Sequence, residues 1–228
     1  MYGSRTRHER RRPHHDIESL KGDRISILLR KTPAYHDHPS TKGKADAMIY
    51  TVECSFADPA SEAEWNDFYS LDKLPALISV RGFHSSQRFK ALRRGCPTYL
   101  AVHAIDGLHV LTGEDYRRKG GGNFARWQRH IVDWHRNLYD GLDRAPAVGG
   151  DQVLLSSAAG PEPLSALGLT PCAMHATDLE KFPERRWLAT LDRSGLPAMD
   201  RLPEDVHVYA PMTAQLTSGH RSASDMAR

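Results

Sequence analysis

Between Glu64 and Phe89 the chain reads EWNDFYSLDKLPALISVRGFHSSQRF, and no other run limits the fold as much. Trp65, Phe68, Tyr69 and Asp72 fall at i, i+3, i+4 and i+7, one face of a helix. Asp58-Pro59 supplies an N-cap and a proline for the first helical position; Ser61 with Glu64 offers a capping box instead. Pro75 lacks a backbone donor and biases Leu74 out of the α region, so the helix is expected to kink or end there. Gly82 permits a tight turn. Beyond it, His84, Ser86 and Arg88 alternate with Phe83, Ser85, Gln87 and Phe89, a strand with two unlike faces.

The flanking segments extend this pattern. Met48 to Phe56 alternates as a first strand. Arg93-Arg94-Gly95-Cys96-Pro97 turns the chain into Tyr99–Ile105, which is apolar on both sides, as a central strand is. Leu108–Leu111 and Glu114–Arg118 read as short helical pieces. Lys119-Gly120-Gly121-Gly122 is a hinge; no Lys-Ser/Thr pair follows it, which argues against a phosphate-binding loop. A second long helix is expected over 123–142, with Phe124, Trp127, Ile131, Trp134 and Leu138 as its buried stripe. Gln152–Ser157 then closes a β-α-β-β-α-β unit. After Gly160 a short helix (Glu162–Leu167) and strands at Cys172–Thr177, Arg186–Leu191 and Val206–Leu216 echo the first unit. Gln152–Ser157 serves as the first strand of that echo or is shared with the first unit.

The stretch from Met48 to Leu142 resembles the EthD-like branch of the dimeric α/β barrel (ferredoxin-like) families. The residues that carry the resemblance are Trp65, Phe68, Tyr69, Asp72-Lys73-Leu74-Pro75, Gly82-Phe83, Arg88-Phe89, Pro97-Thr98-Tyr99-Leu100-Ala101 and Arg136-Asn137-Leu138-Tyr139. Lys73 departs from the pattern, because the family has histidine there. The expected fold is therefore α+β: a ferredoxin-like β-α-β-β-α-β domain of the dimeric α/β barrel type at 48–157, then a degenerate second ferredoxin-like half at 158–228 with a disordered tail from Ser218. The resemblance also implies a homodimer and a pocket between the sheet and its helices.

Composition narrows the function. Residues 1–47 hold eleven Lys/Arg against six Asp/Glu, an excess larger than the net +3 of the whole chain, so the remainder is net acidic. The basic character belongs to a largely flexible leader, and no nucleic-acid partner is expected. Its patch Ile25–Leu29 could add one edge strand. His14-His15 and His36-Asp37-His38 sit in the leader without a scaffold, so no metal is expected. No apolar run reaches membrane-spanning length. Cys54, Cys96 and Cys172 lack metal spacing and cannot all pair, which points to a reduced, cytoplasmic protein.

Candidate chemistry lies in polar groups on buried faces. His130 borders the aromatic stripe and is either a general base or a boundary histidine with one hydrogen bond. Arg88 would hold a carboxylate or enolate oxygen if its strand face lines the cavity, with His84 on the same face and His103 on the neighbouring strand. Lys73 is a base, a Schiff-base nucleophile or a solvated helix-end lysine. Trp65, Phe68 and Tyr69 are core or pocket wall, and a bound substrate would contact Trp65, Tyr69, Trp127 and Trp134. The expected function is a cofactor-independent lyase, isomerase, cyclase or oxygenase acting on an aromatic, polyketide-like or other hydrophobic carbonyl compound. The alternative is a non-catalytic binder of a hydrophobic ligand, or of haem with His130 or His135 as axial ligand.

Overall fold

The computed structural model describes residues 47–121 and 124–219. The expected leader with its apolar patch and histidine pairs, and all but the first two residues of the expected tail, lie outside the described residues.

Eight strands close an antiparallel barrel. β1 (Met48–Phe56) lies between β3 (Tyr99–Ile105) and β4 (Ile131–Asp140), and β3 pairs with β2 (Phe83–Ala91). From β4 the circle runs through β6 (Cys172–Leu179), β7 (Arg185–Asp192), β5 (Gln152–Ser157) and β8 (Val206–Pro211) back to β2. A two-residue strand, β9 (Leu216–Thr217), adds to β2. Taken four at a time, β2-β3-β1-β4 and β6-β7-β5-β8 have the same spatial order, and the fourth strand of each set pairs with the second strand of the other. Both outer strands of the first set are thus covered within one chain, where a homodimer would use a second copy.

Helices cover the first set. A continuous helical run consists of α1 (Glu62–Asp67), a π-helical turn (Phe68–Lys73) and α2 (Leu74–Ile78). Of the two outcomes expected at Pro75, a kink or an end, the helix does not end there. Instead, the amide of Leu74 reaches five residues back to the carbonyl of Tyr69, widening the helix where Pro75 has no amide to give. After β3 come α3 (Leu108–Thr112) and α4 (Glu114–Arg118). The second set carries α5 (Glu162–Ser165) and short 3-10 turns at Arg193–Gly195 and Met199–Arg201.

Two expectations fail here. The helix expected over 123–142 is a 3-10 turn, Ala125–His130, followed by β4. Trp134 and Leu138 are four apart, a spacing that two strand repeats satisfy as well as one helical turn. The odd step from Ile131 to Trp134 is absorbed at Asp133, which has a positive φ of 50°, beside a register shift against β1 between Glu53 and Ser55. The second correction concerns Gln152–Ser157, which does not close the first unit: it pairs with β7 and β8 and so takes the other role expected of it, the first strand of the second set.

Strand alternation sorts the side chains into layers. Ile49, Phe89, Leu100, Tyr139, Leu154 and Tyr209 belong to a core shared by both sets of strands, inside the barrel. Beside them Arg186 makes a bidentate pair with Glu53 at 2.9 and 2.8 Å, with both side chains about 5% exposed. Burial depresses the Arg186 guanidinium, but Glu53 outweighs it and raises its pKa. The opposite faces of β1 and β3 turn Tyr50, Val52, Tyr99 and Ala101 towards Trp65, Tyr69, Leu74 and Leu77 of the helical run. A third core lies in the second set around Val153, Leu155, Leu164 and Val208.

Candidate functional site

The layer between the helical run and β1-β2-β3 concentrates the polar groups that an apolar core normally excludes. The π turn places both Tyr69 and Lys73 on the buried side and leaves Leu71 on the surface, 71% exposed. Lys73 is 5% exposed. Its Nζ donates to the carbonyl of Gly120 at 2.5 Å and lies 4.2 Å from the centre of the Phe124 ring. Loss of solvation brings its pKa down to about 8. Gly120 belongs to the expected glycine hinge, and its neighbour Gly121 is pressed onto the ring of Tyr116. A Cβ at Gly121 would come within 2.1 Å of that ring.

Arg88 is almost fully buried and has no acidic partner among the described residues. Its Nη1 donates to the carbonyl of Asn66 at 3.1 Å and to Ser70 Oγ at 2.8 Å, and its Nη2 to Asn66 Oδ1 at 2.9 Å. The guanidinium carbon lies 4.1 Å from the Tyr69 ring and 5.1 Å from the Trp65 ring. Burial lowers the pKa of Arg88, yet an arginine remains charged. Asn66 Nδ2 in turn donates to Tyr99 Oη at 2.9 Å, and Tyr99 donates to Glu62, which also pairs with Lys90 at 3.3 Å. A continuous polar chain therefore runs from the surface to Arg88.

His103 is completely buried, beside Ser86 Oγ at 2.8 Å from its Nδ1, and is stacked on Tyr50 with ring centres 5.4 Å apart. Burial, and secondarily the charge of Lys73, depress its pKa to about 3. This folded-state value lies below that of an unfolded histidine, so the unfolded chain takes up the proton first as the pH falls. Stability from His103 is therefore complete above about pH 6.5 and declines towards pH 3. Between pH 6.5 and 5 the decline amounts to about 2 kcal/mol. Urea titrations at both pH values should show it, and His103→Gln should remove it; equal acid sensitivity in the variant would assign the decline to other groups.

Three buried nitrogens in this layer, Trp65 Nε1, Trp127 Nε1 and His103 Nε2, have no hydrogen-bond partner among the described residues. Indole nitrogens only donate, so an acceptor is the missing complement. The aromatic walls lie close together. Phe68 packs on Trp127 at 4.6 Å, Trp65 on Phe56 and Tyr99 at 4.7 Å, and Phe124 meets Trp134 edge-on at 5.0 Å.

The structure thus gathers Arg88, Lys73, His103, Trp65, Phe68, Tyr69, Trp127 and Trp134 in one layer and leaves two of the expected residues out. A register shift between Phe83 and Ser85 puts His84 at the surface, 2.5 Å from Asp106. His130 ends the 3-10 turn, where its Nε2 accepts from Arg129 Nε at 2.9 Å and its ring lies against Phe56. Sequence reasoning missed Asn66 and Ser70, whose polar side chains on the helical run held no distinguishing signal.

The haem expectation can be tested on the same groups. His135 is exposed on β4 and bonded to Glu180 at 2.9 Å; His130 is engaged by Arg129; His103 is walled in by Tyr50 and Phe83. Each of these three rings is thus engaged by neighbouring side chains. Among the described residues no group of His, Cys, Asp and Glu could hold a metal ion, and no helix is long and apolar enough to cross a membrane.

No protein-family model matches the chain, and no curated protein matches it. Among solved structures it is similar to an anthrone oxidase-like protein, with 10% identity and a TM-score of 0.49, spanning 78% of this chain and 96% of that one. It is also similar to a candidate monooxygenase from Fusobacterium nucleatum, with 10% identity and a TM-score of 0.48, over 77% and 96% of the two chains. A candidate monooxygenase from Lactobacillus acidophilus follows, with 9% identity and a TM-score of 0.44, over 76% and 97%. At this distance the likeness is one of chain course alone.

Proposed function

We propose that the chain is a single-chain counterpart of the dimeric α/β barrels, built from two ferredoxin-like halves and akin to the EthD-like branch through Trp65, Phe68, Tyr69 and Pro75. It is a small enzyme that uses no cofactor and acts on a flat, hydrophobic carbonyl compound, aromatic or polyketide-like. The reaction is of the lyase, isomerase, cyclase or oxygenase kind. Three free cysteines, Cys54, Cys96 and Cys172, favour a reducing, cytoplasmic setting.

The observation that carries this reading is a set of buried donors that, among the described residues, have no acceptor, set among aromatic walls beside an arginine that has no acid partner there. A flat compound with a carbonyl oxygen supplies what the indoles lack. As negative charge grows on that oxygen during proton removal, Arg88 stabilises it through charge-assisted bonds, in place of its present bonds to Asn66 and Ser70. Lys73 is partly neutral near pH 8 and takes the proton, a role for which His130 is the other candidate.

9-Fluorenone and fluorene share a shape and differ by one carbonyl. Tryptophan fluorescence should report binding of fluorenone and much weaker binding of fluorene. Trp127→Phe, which keeps a ring and removes one donor, should weaken fluorenone about five- to tenfold. Equal binding of the two compounds, or binding of neither, would defeat the reading. Carbonyl compounds that bind are then incubated and analysed by mass spectrometry. If all emerge unchanged, the second reading holds: a binder of hydrophobic ligands, favoured by the bonds that already engage Arg88.

A further inference from the structure

We infer that Lys73 is a covalent site, whose amine condenses with the carbonyl carbon of an aromatic aldehyde or ketone to form an imine. The inference rests on reading the layer as an aromatic carbonyl site and adds the bond by which the compound is held.

Four features of the structure support it. The π turn directs Lys73 inward, where an α-helix ending at Pro75 would have left it at a solvated terminus. Its Nζ is held by the carbonyl oxygen of Gly120 at 2.5 Å, a backbone acceptor that fixes the position of the amine and that an incoming carbonyl would displace. The Phe124 ring over the amine offers a flat compound a stacking surface. Finally, the surroundings are dry. Burial lowers the affinity of Lys73 for its proton, the change that turns an ammonium into a nucleophile, and it favours the step that expels water.

The chemistry balances without an oxidant or reductant. Neutral Nζ gives its electron pair to the carbonyl carbon, and the C=O π pair moves onto oxygen, which takes up a proton. The nitrogen loses a proton, its lone pair forms the C=N bond as the oxygen, protonated a second time, leaves as water, and the resulting iminium gives up its remaining proton. Amine plus carbonyl gives imine plus water, and hydrolysis reverses it. His103, whose pKa is depressed chiefly by burial and secondarily by the charge of Lys73, is a group able to pass a proton through its Nε2, which has no partner among the described residues.

The experiment treats the full chain with 2-naphthaldehyde and sodium cyanoborohydride, which fixes an imine as a stable secondary amine, and locates the adduct by peptide mass spectrometry. Lys73 should be labelled at least tenfold faster than the more exposed Lys90, Lys119 and Lys181. Its rate should level off above about pH 8. The rate at Lys90 should keep rising, because Tyr99 and Glu62 outweigh its partial burial and hold its pKa above the ordinary lysine range. Lys73→Arg should remove the main adduct. Labelling spread over the exposed lysines, with Lys73 unmodified, would overturn the inference. The fluorenone titration separates the two ideas: fluorenone binding without Lys73 labelling sinks the covalent bond alone, and failure of both sinks the site.

Discussion

Replacing Glu53 with alanine is expected to destabilise the fold by about 3–5 kcal/mol, because it leaves Arg186 charged and unpaired inside the barrel. Urea unfolding of Glu53→Ala and Arg186→Met should show this, with a smaller loss for the methionine, which fills space. The double variant Glu53→Leu/Arg186→Met should recover most of the stability, since an apolar pair of similar volume substitutes well for a buried ion pair. A double variant as unstable as Glu53→Ala would show that the pair contributes more than charge neutralisation. The two residues are 133 positions apart and stand on β1 and β7, so the variant also reports on how firmly the two sets of strands hold together.

Trp65→Ala should cost a similar amount, about 3–5 kcal/mol, through lost burial and a cavity that the layer cannot close. Trp65 has no exposed surface and is stacked between helix and sheet on Phe56 and Tyr99. It also supports the guanidinium of Arg88. Thermal unfolding of Trp65→Ala with and without added indole distinguishes a cavity from a general loosening. Indole should restore part of the lost melting temperature, because an apolar cavity of that shape binds an apolar guest. No recovery would show that the layer collapses.

Much of the candidate site was legible in the sequence, where side-chain period and local chemistry agree. The stripe Trp65, Phe68, Tyr69 stands on the helical run as its spacing predicts, but the π turn buries Lys73 and leaves Asp72, the expected fourth member, exposed; Arg88 and His103 share a buried sheet face as alternation predicts. The rest was hidden for identifiable reasons. Pro75 announces the end of a helix, but a π turn supplies a way past it that only the backbone reveals. His84 has the parity of Arg88, and one register shift takes it out of the layer. The run from Phe124 to Leu138 satisfies a helical stripe and a bulged strand equally, and pairing with β1 decides between them. Glu53 was visible as a charge within an apolar strand, but nothing local could name Arg186 as its partner.

The matching strand order of the two sets has a consequence for how such a barrel can change. In a pair of identical subunits every substitution is made twice, and each must be tolerated in both places. Here β1 to β4 and β5 to β8 are encoded separately, so a change to one leaves its counterpart untouched. The first set carries a long helical run and the polar layer beneath it; the second is covered by α5 and a few short turns around an aliphatic core. A substitution such as Lys73→Arg therefore acts once per barrel, and if the polar layer is the binding site, ligand titrations should saturate at one equivalent per chain.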